Sequence, residues 1–100
     1  MTAHRLRTHP GEVLRDEFMV RLGLSANALA RDLHVAPNRI TAIIAQDRPR
    51  AVTADTAMRL SAYFGTTPEF WLNLQAAFDP SPARIESAER IAREVRPRAA

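Results

Sequence analysis

The chain has 100 residues, 46% of them hydrophobic and 25% charged, with a net charge of +3 and no cysteine. That bounds it to a modest globular domain and excludes disulfide stapling, thiol nucleophiles and most structural zinc sites. No apolar run is long enough to span a bilayer, and Met1 to Arg7 has no hydrophobic signal-peptide core, so no membrane partner and a cytoplasmic location are expected.

Every predicted element is helical, which makes the expected fold class all-α. Residues 1–8 read as a flexible basic arm. A first helix follows over about Gly11–Arg21, with Val13, Leu14 and Phe18 at helical spacing and Leu22 as a further candidate for its inward face. Gly23 stops it. Ser25 caps a second short helix ending at Leu33, with Leu29, Ala30 and Leu33 inward. After a break at His34-Val35-Ala36, a third helix opens at Pro37 and runs to Ala45, with Ile40, Ile43 and Ile44 inward. Asp47-Arg48-Pro49-Arg50 is a polar loop, because Pro49 forbids continuous helix. Thr53 caps a fourth helix over about Ala54–Phe64, facing inward with Ala57, Leu60 and either Tyr63 or Phe64, and Gly65 stops it. Thr67-Pro68 opens a fifth with a broad apolar face of Phe70, Trp71, Leu74, Ala77 and Phe78. Asp79-Pro80-Ser81-Pro82 breaks the chain before a sixth helix over Ala83–Arg96. Its stripe is Ile85, Ala88, Ala92 and Val95, with Ile91 beside it, and its neighbours are left open between core, partner and solvent. The domain boundaries follow as 1–8, 9–79 and 80–100.

The pair of helices between Ser25 and Gln46 is the most informative feature. Ala30 falls where two steeply crossed helices would touch, and Val35, Ile40 and Ile43 fall where apolar contact would lock their angle. That is a helix-turn-helix, with Asn38, Arg39 and Thr41 left on the outer face. In such a motif the start of the second helix enters the major groove. Pro37, Asn38, Arg39, Thr41 and Ala42 are therefore candidate DNA contacts: amide to adenine, guanidinium to guanine, methyl groups to thymine. Ser25 and Asn27, at the amino end of the other helix, are candidate phosphate contacts, and Ser25 serves equally as a structural cap. Arg48 and Arg50 are candidate backbone clamps on a loop that otherwise is simply solvated. The charge distribution agrees, since residues 1–50 hold eight arginines against five acids while residues 51–100 hold six of each. All fourteen basic residues are arginine, a good phosphate ligand, although codon bias in the source genome would give the same composition.

Other constellations reduce to structure. Asp16 and Glu17 point apart on a helix, His4 and His9 complete no metal ligand set, and neither a nucleophilic triad nor a glycine-rich phosphate loop is present. No enzyme activity, metal or cofactor is expected. Phe70, Trp71, Leu74 and Phe78 read as core together with a homodimer contact rather than a ligand pocket.

The flanks make the signal specific. His9-Pro10-Gly11-Glu12, Gly23-Leu24-Ser25, Leu29-Ala30 and Arg39-Ile40 precede Thr53-Ala54-Asp55-Thr56-Ala57, Arg59-Leu60 and Tyr63-Phe64-Gly65-Thr66. Pro68-Glu69-Phe70-Trp71-Leu72-Asn73-Leu74-Gln75 follows. From about His9 to Asp79 the chain resembles HigA-type antitoxins, a branch of the phage-repressor-like helix-turn-helix class. The resemblance implies a five-helix domain of that class, to which the sixth helix read from the spacing adds a C-terminal helix. It further implies a dimer that neutralises a HigB-like, messenger-RNA-cleaving toxin and represses its own promoter at an inverted-repeat operator. The sequence departs from the class at His34, where glycine is frequent, and in the longer Ala45–Arg50 link, while nothing beyond Asp79 takes part in the likeness. A toxin-binding module without DNA binding and a plain repressor without a toxin remain as alternatives.

Overall fold

The computed structural model describes residues 8–98, with residues 80–85 described by backbone alone, so the expected arm (residues 1–8) lies outside it apart from Thr8. Helix α1 opens at Pro10, one residue earlier than its spacing predicts. The His9 Nδ1 accepts the Gly11 N–H at 2.8 Å, and Pro10 brings no N–H that would need a partner. This helix is α-helical over Pro10–Val13, π-helical over Leu14–Met19 and α-helical again over Val20–Leu22. The π segment bonds i to i+5, so the inward face recurs after five residues rather than four. Leu14 and Met19, five apart, are both buried. Leu22, expected inward from a straight α-helix, is 61% exposed.

Gly23 (φ 65°) ends α1 in the left-handed region, with its N–H on the Val20 carbonyl and the Leu24 N–H on the Met19 carbonyl. Helix α2, Ala26–Leu33, begins under the Ser25 hydroxyl, which accepts the Ala28 N–H at 3.0 Å. Helix α3, Pro37–Ile43, stops two residues short of the expected Ala45. The carbonyls that another turn would have occupied are taken from outside: Ala42 accepts the Arg50 N–H and Ile44 accepts the Arg15 guanidinium, each at 2.9 Å. Helices α4, Ala54–Phe64, and α5, Pro68–Phe78, have the expected bounds, under Thr53 and Thr67 caps.

Helix α6 spans Pro80–Glu94, which corrects both ends of the expected sixth helix and reduces the break to Asp79, itself in a helical conformation. Proline is tolerated in a first turn because its missing N–H would have had no intrahelical acceptor. Ala88, Ile91, Ala92 and Val95 are exposed, so those residues are not core; the Ile85 side chain lies outside the described residues.

Helix α2 packs against α3 and α4, α4 against α5, and the first turn of α1 against α5. Between them lie Leu14, Met19, Leu29, Ala30, Leu33, Ile40, Ile43, Val52, Ala57, Leu60 and Trp71, a single buried cluster. Of the pair Tyr63 and Phe64, Phe64 turns inward onto Phe18 (ring centroids 4.8 Å apart), while Tyr63 stays outside and its hydroxyl donates to Asp32 at 2.8 Å. Two buried polar groups tie the loops to this core. The Trp71 Nε1 donates to the Thr66 hydroxyl at 2.9 Å. Gln75 accepts the Val52 N–H at 2.7 Å and donates to Asp79 at 2.6 Å. Such burial is tolerable only because each group finds a partner. Among the described residues there is no strand, and no helix is long and apolar enough to cross a membrane.

Candidate nucleic-acid interface

The turn between α2 and α3 hinges on His34, at φ 60° and ψ 45°. Its N–H bonds to the Arg31 carbonyl and the next N–H, from Val35, to the Ala30 carbonyl at 3.0 Å. This is a Schellman cap, which requires a left-handed residue where histidine stands in place of glycine. The half-buried Val35 follows and packs against the core cluster, in which Ala30 is fully buried. Among the described residues, Arg48, in the longer link after α3, is the other non-glycine residue with positive φ, at 51°.

Ile40 and Ile43 anchor α3 in the core, so its opposite face turns outward. Pro37, Asn38, Arg39 and Thr41 are exposed and Ala42 is half-buried. Thr41 donates weakly back to the Asn38 carbonyl at 3.4 Å. Asn38, Arg39, Thr41, Ala42 and Arg50 line one groove of about 560 Å³, whose other wall is Thr53 and Asp55 at the start of α4. Ser25, Asn27 and Arg48 are exposed but do not line that groove.

Arg39 is not loose. Its Nη1 donates to Asp55 Oδ2 at 2.6 Å, and the same oxygen accepts Arg59 Nε at 2.9 Å. Arg59 also donates to the Leu33 carbonyl at 2.9 Å, at the end of α2. One carboxylate thus links α3, α4 and the end of α2. These bonds, from Arg59 first and Arg39 second, hold the Asp55 carboxyl below the usual carboxylate range. The Asp32 carboxylate, by accepting the Tyr63 hydroxyl, raises that phenol above its ordinary value.

Behind α3 the chain approaches itself closely. Gly11 faces the Ile43 carbonyl so tightly that a Cβ on it would sit 1.9 Å from that oxygen. His9 is buried beside it, with its ring edge-on to Phe78 at 4.8 Å. Because Nδ1 accepts a bond, Nε2 carries the proton of the neutral ring, and it meets no acceptor in bonding geometry. The nearby Arg50 backbone favours the protonated ring. Burial nevertheless dominates and lowers the His9 pKa, against the opposing influence of Asp79, Arg50 and Glu12.

The expected dimer residues are divided by the fold. Trp71 is completely enclosed in its own domain, ringed by Phe18 and Phe70, and this corrects its assignment as a contact: it has no surface to offer a second copy. Phe70 is 39% exposed, and Leu74 and Phe78 are half-buried. The sequence does not single out Asp55, which lines the groove, or Arg59, which shares the Asp55 carboxylate with Arg39. Their four-residue spacing shows that they pair, but the partnership with Arg39 crosses sixteen residues and two elements.

The family model described as helix-turn-helix matches residues 16–71. Virulence-associated protein I of Dichelobacter nodosus is 54% identical over 71% of the chain and 64% of its own length. Antitoxin HigA-1 of Vibrio cholerae is 41% identical over 69% of the chain and 63% of its own length. The chain therefore spans a little under two thirds of each of these relatives. Among solved structures, an addiction module antidote protein of the HigA family from Coxiella burnetii superposes with a TM-score of 0.80 at 48% identity, covering 94% of this chain and all of that one. Antitoxin GraA in complex with its operator superposes at 0.83 with 43% identity, over 100% and 99% of the two chains. With a five-helix core, a helix-turn-helix at α2–α3 and these likenesses, the chain belongs to the helix-turn-helix family, in its HigA-type branch.

Proposed function

We propose that this protein is an antitoxin that binds its own operator as a dimer through α3 and neutralises a HigB-like toxin. One observation carries the DNA part: Asn38, Arg39 and Thr41 share the outward face of a helix whose inward face, Ile40 and Ile43, is locked into the core. A rigid helix with a polar outer rim fits the major groove, and the groove-lining Arg50 stands beside it for a phosphate. Ser25, Asn27 and Arg48 complete the backbone contacts. A dimer would present two such helices to half-sites about one helical turn apart, so the operator would be an inverted repeat. Phe70, Leu74 and Phe78, still partly accessible on α5, are the candidate dimer contacts. The operator complex of GraA supports the DNA reading by likeness, and the names of the HigA relatives support the antitoxin role. The protein acts by binding in the cytoplasm, with residues 9–79 as the working domain and 80–100 as an extension.

Replacing Arg39 by alanine should weaken operator binding by about 1–3 kcal/mol if that side chain reads a base. Unchanged affinity in a gel-shift titration removes it from the account. For the toxin, co-expression with the neighbouring gene product should yield a complex that co-purifies. A second reading, a toxin-binding module without DNA binding, draws support from Asp55, which sets a negative charge in the face meant for phosphates. Salt separates the two: phosphate contacts make affinity fall steeply with added salt, and the second reading predicts no operator complex at any salt concentration.

A further inference from the structure

We propose that Asp55 is a positioning residue for base recognition, holding the Arg39 guanidinium in the one orientation in which its free edge faces a base. The inference rests on the DNA-binding reading above. Arg39 stands in the first turn of α3, the part of a recognition helix that comes nearest the base edges. An unrestrained arginine there would sample many rotamers and collect any nearby phosphate, which gives affinity without discrimination.

The geometry removes that freedom. Asp55 Oδ2 receives Arg39 Nη1 at 2.6 Å and is itself held by Arg59 Nε at 2.9 Å, while Arg59 is braced on the Leu33 carbonyl. Asp55 and Arg59 share α4, and Arg59 ties that helix to the end of α2, so the acid cannot follow Arg39 of α3 if it swings. A guanidinium carries five N–H donors, and one nitrogen engaged by Asp55 leaves the Nε and Nη2 edge available for the two acceptors of guanine. The Arg39 side chain as a whole is still 42% exposed in spite of the ion pair. The carboxylate also repels phosphate, and thus penalises the non-specific pose that Arg39 would otherwise adopt. Its cost in raw affinity is exchanged for selectivity, through a repulsive element of the kind that discriminating interfaces use.

The test is selection of a preferred duplex from a randomised pool by the full chain, followed by titrations with that duplex and with one substituted at the base pair that Arg39→Ala renders indifferent. In Asp55→Asn the preference for the selected duplex over the substituted one should fall about ten-fold, within the range that one bidentate arginine–base pair supplies. Binding to random duplex should rise in the same variant. In an Arg39→Ala background, Asp55→Asn should leave the preference where it was. Asp55→Glu, which keeps the charge, should recover part of it. An Asp55→Asn protein that discriminates as well as wild type overturns the proposal, as does an equal loss in the Arg39→Ala background. If the wild-type chain selects no duplex at all, the DNA-binding reading itself fails and this inference falls with it.

Discussion

Replacing Gly11 by alanine sets two effects against each other, and the structure decides the sign. Gly11 lies in the first turn of α1, where alanine is favoured over glycine by about 1 kcal/mol on helix propensity. Its new methyl, however, would fall 1.9 Å from the Ile43 oxygen, 2.8 Å from the Ile43 carbonyl carbon and 3.0 Å from His9 Nδ1. Two of those atoms are backbone at the end of α3, so no rotamer change relieves the clash. The start of α1 and the end of α3 must part by more than about 1 Å, an overpacking that costs about 1–3 kcal/mol. The same movement strains the His9–Gly11 hydrogen bond, worth a further 0.5–1.5 kcal/mol or so. The net expectation is a destabilisation of about 2 kcal/mol, or a drop in Tm of roughly 8–16 °C for a chain of this size. Urea denaturation followed by circular dichroism, with an unchanged slope, measures it directly. A variant as stable as wild type, or more so, would refute the close approach of α1 to α3.

Three further outcomes follow from buried or strained groups. Gln75→Leu leaves the Val52 N–H without its acceptor in the interior and should cost about 1–3 kcal/mol in the same urea assay; a neutral result would mean that the loop readily finds another acceptor. His34→Gly removes the steric penalty of a left-handed histidine whose side chain is exposed, so the variant should gain about 0.5–1 kcal/mol and melt higher. A lower melting temperature would count against strain at that turn. Burial lowers the His9 pKa, so the unfolded chain binds that proton more tightly than the folded one. The His9 contribution is therefore complete above the ordinary imidazole value near 6.5 and is lost as the pH falls from there through the lowered folded value. Urea midpoints on either side of that value should differ more in wild type than in His9→Asn, which keeps an acceptor for the Gly11 N–H; equal pH dependence in both would exclude His9 as the source.

Local chemistry in the sequence was sufficient to place most helices. Hydroxyl caps at Ser25, Thr53 and Thr67, glycine stops at Gly23 and Gly65, and prolines at the first helical position act within one turn of chain, so their signals are written in neighbouring residues. The inward faces of α2 and α3 were equally legible, because Leu29, Ala30, Leu33, Ile40 and Ile43 follow an undisturbed helical period. Where the period itself changes, reading fails: the π segment of α1 turned Met19 inward and Leu22 out. The tertiary structure alone decided which outward side chains would be free. Arg39 looks like an unencumbered surface cation in the chain order, yet Asp55, sixteen residues away, holds it through a bond that exists only once α3 and α4 are packed. Likewise Gly11 reads as a poor helix former until Ile43 is brought against it. Caps and periods are short-range and survive in one dimension; charge partners and steric gaps depend on segments that meet only through folding.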